Sequence, residues 1–106
     1  RGLAVTTRSR SRAAPEIPTV AESGVPGFQA TTWYALLAPA GTSPAIIKKL
    51  HAATIQALRS PAVTEQLVAQ GAEPIGNSPD ELRTFLQNEI DGWTKVIKQA
   101  NIRPNT

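Results

Sequence analysis

Apolar residues recur at helical spacing in three segments of the second half of the chain. Between Pro44 and Arg59, the residues Ile47, Leu50, Thr54 and Leu58 follow one another at three or four positions, with Ile46 and Ile55 flanking. This predicts a first helix over 44–59. Val63, Leu67 and Val68 predict a second over 61–70, stopped at Gly71. Leu82, Phe85, Leu86, Ile90, Trp93, Ile97 and Ala100 form one broad stripe and predict a third over 79–100. All three begin alike. Ser43-Pro44, Ser60-Pro61 and Ser78-Pro79 each put a capping hydroxyl before a proline at the first helical position, where a missing amide costs nothing. Ser78 and Glu81 have capping-box spacing, and Asn101 followed by Ile102 is a left-handed stop.

The first half has a different pattern. Leu3 to Thr6 carries β-branched residues and reads as a short strand. Thr7 to Pro18 is a polar loop. Thr19 and Glu22 again have capping-box spacing, for a single turn closed by Gly24, and Val25-Pro26-Gly27-Phe28 is a tight turn. Thr31 to Ala38 is the best strand signal, with two threonines and two aromatics. The unbroken apolar run Trp33 to Ala38 predicts burial on both faces. Two or three short strands make a poor sheet alone, so part of the fold is expected in a longer chain.

The chain has 106 residues, enough for one small domain with a core, and 41% are hydrophobic. No apolar run approaches the ~20 residues of a membrane span. The absence of cysteine excludes disulfide and thiolate chemistry. The net charge of +3 is local. Arg1, Arg8, Arg10 and Arg12 precede the first acid, Glu16, and the remainder is nearly neutral. Arg8, Arg10 and Arg12 could meet phosphates. No aromatic residue lies among them to stack on bases, so a basic nucleic-acid-binding module is a weak alternative.

Catalytic chemistry finds no carriers. His51 is the only histidine and has no carboxylate nearby in sequence. No zinc spacing, phosphate loop or dinucleotide fingerprint is present. Glu89 and Asp91 fall on different helix faces. A non-enzymatic protein without metal or cofactor is expected. Two features suit a small anion. Gly41-Thr42-Ser43 leads into a helix N-terminus, where capping is the simpler role. Thr31, Thr32, Trp33 and Tyr34 put hydroxyls and aromatic rings where a loop enters a strand, as carboxylate clefts often do. Core packing by the two rings is the competing role.

The order of "LAVTT", "PEIPTVAESGVPGF", "WYALLAPAGTSPAIIKKL", "GAEPIGNSPDEL" and "EIDGWTKVIKQANIRP" resembles the C-terminal end of the Bug family. These are periplasmic receptors of tripartite tricarboxylate transporters. The resemblance covers nearly the whole chain and implies an α/β, type II periplasmic-binding-protein fold. The chain would be its C-terminal fragment, with three helices and two or three short strands. It implies that 1–30 is a remnant of the second, ligand-closing domain, 31–39 a crossover strand, and 40–106 the C-terminal part of the first domain. It implies a small carboxylate ligand in the full-length parent, membrane transporter subunits as partners, a periplasmic location, and Thr31, Thr32, Trp33 and Tyr34 as the residues nearest the cleft. The family's anion-binding loops lie largely in the preceding two thirds. One departure is the arginine-rich loop "RSRSRAAPEIP". The alternative is a fragment without ligand activity that pairs with a copy of itself through its exposed faces.

Overall fold

The computed structural model describes residues 1–103. Three helices follow one another: α1, Pro44–Leu58; α2, Pro61–Ala69; and α3, Pro79–Gln99. The chain divides into two compact units, Arg1–Pro74 and Ile75–Thr106.

In the first unit, the helix ends are set by local chemistry. The Ser43 hydroxyl accepts the Ile46 amide and caps α1. Ser60 occupies the N-cap of α2, but its hydroxyl makes no capping bond, unlike the sequence expectation. There the Thr64 hydroxyl turns back to the Leu58 carbonyl at 2.8 Å and fastens α2 to the end of α1. The two helices pack on each other. α2 stops at Gly71, with φ of 75°. The Ala72 amide reaches the Leu67 carbonyl at 2.9 Å and the Gly71 amide reaches Val68 at 2.9 Å, a Schellman closure.

Ahead of α1 the chain is irregular. The expected strand at Leu3–Thr6 is reduced to one parallel bridge, Val5 to Thr19. The expected strand at 31–38 pairs with no ladder among the described residues. Its apolar run is open rather than buried on both faces: Tyr34 is 91% exposed, Leu36 72% and Leu37 70%. A strand is held by a neighbouring backbone, and this segment has none there to pair with. The expected core is also missing. Thr19 is the one buried residue among those described, and no hydrophobic side chain is fully buried. Amphipathic stripes need a partner layer to bury them.

In the second unit, α3 carries a complete capping box between Ser78 and Glu81 and ends at Asn101, with φ of 53°. The Ile102 amide bonds the Ile97 carbonyl at 3.1 Å. The first turns of its apolar stripe, Leu82, Phe85 and Leu86, are half-buried. Ile90, Trp93, Val96 and Ile97 are exposed.

Candidate functional site

The segment Thr31–Tyr34 is delivered by a path with several fixed points. The Val5 amide donates to the Pro18 carbonyl at 2.8 Å, and the Val20 amide donates to the Val5 carbonyl at 2.9 Å. The next residue, Thr6, accepts the Ala30 amide at 3.0 Å. Ala30 immediately precedes Thr31, so a short stretch around Val5 and Thr6 holds both the start and the end of the path. Between these points lie the capped turn at Thr19–Glu22 and a tight turn in which the Phe28 amide reaches the Val25 carbonyl at 3.1 Å. Gly24 and Gly27 take φ of 114° and 76°, values an L side chain rarely adopts.

The capped turn is reciprocal. The Glu22 carboxylate accepts the Thr19 amide at 2.7 Å, and the Thr19 hydroxyl accepts the Glu22 amide at 3.0 Å. Arg10 joins it from the polar loop. Its Nε lies 3.2 and 3.1 Å from the two Glu22 oxygens, and its Nη1 donates to the Pro15 carbonyl at 3.3 Å. The Thr19 amide first, and the Arg10 guanidinium second, hold the Glu22 carboxyl below its ordinary range. Arg12 lies 3.8 Å from Glu73. Two arginines of the basic run thus sit opposite carboxylates of this same chain.

The four site residues fall together by sequence adjacency. Thr31 is half-buried, Thr32 exposed, Trp33 38% exposed and Tyr34 91% exposed. Core packing does not occupy Tyr34 here. Downstream, Gly41-Thr42-Ser43 is committed to capping. The Thr42 hydroxyl donates to the Pro39 carbonyl at 2.8 Å, and Ser43 Oγ accepts the Ile46 amide. His51 lines a shallow groove at the end of α1 with Ile55, Gln56, Arg59 and Ser60. Glu89 accepts the Trp93 indole N–H at 3.3 Å and Asp91 the Gln87 amide at 3.0 Å, so the two carboxylates serve separate neighbours. Among the described residues no group of histidine, cysteine and carboxylate side chains could hold a metal. No helix among them is long and apolar enough to cross a membrane.

Sequence reasoning found the Thr19–Glu22 cap but missed Arg10 as its third member. The two partners are twelve positions apart, and only the fold of the intervening loop joins them.

Residues 1–102 match the family model of the tripartite tricarboxylate transporter family receptor, TctC. The chain is similar to protein BugT of Bordetella pertussis, 42% identical over 103 residues that cover 97% of this chain and 32% of BugT. Among solved structures it is similar to R. palustris Rpa4515 with adipate, at a TM-score of 0.79 and 40% identity, covering 97% of this chain and 34% of that one. The periplasmic binding protein BugD aligns at a TM-score of 0.71 and 29% identity, over 96% of this chain and 35% of BugD. The chain spans about a third of the length of these relatives. The structure therefore corresponds to one part of a periplasmic-binding-protein fold. The chain belongs to the tripartite tricarboxylate transporter receptor family, the family of the Bug proteins.

Proposed function

We propose that this chain is the C-terminal third of a solute-binding receptor that captures a small carboxylate in the periplasm and presents it to the membrane subunits of a tripartite transporter. The observation that carries this reading is the family match across residues 1–102. The likeness to Rpa4515, whose structure contains adipate, favours a dicarboxylate. In this reading residues 1–30 belong to the ligand-closing domain, 31–39 form the crossover between domains, and 40–106 complete the first domain. Capture then works by closure of two domains around the ligand. As a crossover strand, 31–34 would turn Thr31 and Trp33 to one face and Thr32 and Tyr34 to the other. Hydroxyl donors and a ring edge from one face suit a carboxylate and its aliphatic stem. The test is a thermal-shift and calorimetric survey of the full-length receptor against mono-, di- and tricarboxylates. A shift with one class supports the reading, and no response to any of them overturns it.

A second reading is favoured by the exposed stripe of Ile90, Trp93, Val96 and Ile97 on α3. The chain taken alone then pairs with a second copy instead of binding a ligand. A monomeric mass by light scattering at high concentration removes this reading.

A further inference from the structure

We infer that Arg10 is a positioning residue for the Thr31–Tyr34 segment, acting through Glu22 and the capped turn. Ala30, the residue before the segment, is held by one bond to the Thr6 carbonyl. The Val5–Thr6 stretch is held in turn by the Pro18 carbonyl and the Val20 amide, on either side of Thr19. Thr19 is 2% exposed and its amide is fixed by Glu22. The loop running from Thr6 back to Pro18 is closed by Arg10, which grips both Glu22 oxygens and the Pro15 carbonyl. Arg10 leaves the chain only four residues after Thr6, so one side chain ties the two sides of this loop together beside the bridge. Without it the loop gains freedom, and the register between Val5–Thr6 and Pro18–Val20 rests on two backbone bonds alone. The seat of Ala30, and of the segment after it, loosens with that register.

Arg12 provides an internal comparison. It lies in the same basic run, but its carboxylate is Glu73, well beyond the path, at 3.8 Å and with both side chains mostly exposed. Arg10 and Glu22 are themselves 46% and 47% exposed, and what separates the two arginines is three hydrogen bonds against one long contact, which contributes little order. The inference therefore separates two arginines that the sequence presents as equivalent. Its structural part stands on the bonds above. Its consequence for ligand affinity rests on the receptor reading.

The experiment has two arms. In the full-length receptor with Trp93 and every other tryptophan except Trp33 replaced by phenylalanine, Trp33 emission reports the segment. Arg10→Ala is expected to shift that emission, Arg10→Lys to restore most of it, and Arg12→Ala to leave it in place. In the full-length receptor, Arg10→Ala is expected to weaken dicarboxylate binding several-fold per folded molecule, measured by calorimetry with adipate and succinate, and Arg10→Lys to recover it. Unchanged Trp33 emission in Arg10→Ala overturns the inference, as does an equal shift in Arg12→Ala. A shift in emission with unchanged affinity overturns its ligand part. A full-length receptor that binds no carboxylate sinks the receptor reading, and the emission arm still decides the positioning role.

Discussion

The Glu22 carboxylate accepts the Thr19 amide at 2.7 Å while the Thr19 hydroxyl accepts the Glu22 amide at 3.0 Å. This reciprocal cap depends on the charged form of Glu22, whose carboxyl is lowered by the Thr19 amide and by Arg10. A carboxyl that ionises more readily in the folded chain contributes stability that is present above its unfolded value. That contribution is lost as pH falls through the folded value. An NMR titration of the Glu22 side-chain carboxyl is expected to give a midpoint below that of an unfolded peptide. In Arg10→Ala the midpoint should rise but stay under that of an unfolded peptide, because the Thr19 amide remains. A midpoint at or above the peptide value contradicts the cap.

Ser78 and Ser60 open their helices with the same dipeptide and differ in what their hydroxyls do. Ser78→Ala removes a complete capping box from α3 and is expected to cost about 1 kcal/mol of helix stability. Ser60→Ala should cost clearly less, since that hydroxyl makes no cap bond. Removing the Thr64 hydroxyl, which holds the Leu58 carbonyl, should cost α2 more than Ser60→Ala does. Backbone amide exchange resolved by residue separates these effects.

Two glycines carry opposite expectations. Gly71 sits at φ of 75° in the closure of α2, so Gly71→Ala is expected to destabilise that end by about 1–2 kcal/mol. Gly92 lies inside α3, and a Cβ there meets nothing within 4 Å. Gly92→Ala is therefore expected to stabilise α3 by about 0.5–1 kcal/mol. Circular dichroism against denaturant reads both, and a destabilised Gly92→Ala would show that α3 is more crowded than described.

The helices were legible in the sequence because their ends are written in local chemistry. Ser43, Ser60 and Ser78 ahead of prolines placed the three helix starts, and Gly71 and Asn101 the ends of α2 and α3, to within a residue of the structure. The capped turn at Thr19 was legible for the same reason. The apolar run Trp33–Ala38 was misread as buried because burial depends on partners outside the run, and those are absent from the described residues. The Arg10–Glu22 pair was invisible because its members lie twelve positions apart. The role of Thr31 to Tyr34 was suggested by residue type and by the family resemblance, not by any geometry.

Trp33 and Tyr34 should respond differently to truncation. Tyr34 is almost fully exposed, so Tyr34→Ala is expected to leave the stability of this chain unchanged within about 0.5 kcal/mol. On the proposed receptor reading, one of the two faces of the 31–34 strand lines the cleft. Either Thr31→Ala and Trp33→Ala weaken ligand binding together, or Thr32→Ala and Tyr34→Ala do. Loss of affinity in all four or in none contradicts a strand that presents alternate faces.

On the proposed reading, this chain completes a carboxylate receptor. Isothermal titration of the full-length receptor with adipate, succinate and citrate tests it, alongside a receptor carrying Thr31→Ala and Trp33→Ala and one carrying Thr32→Ala and Tyr34→Ala. Saturable binding of at least one carboxylate by the unaltered receptor and a marked loss in one altered receptor are expected. Heat changes indistinguishable from dilution for every carboxylate, in a receptor shown to be folded, would contradict it.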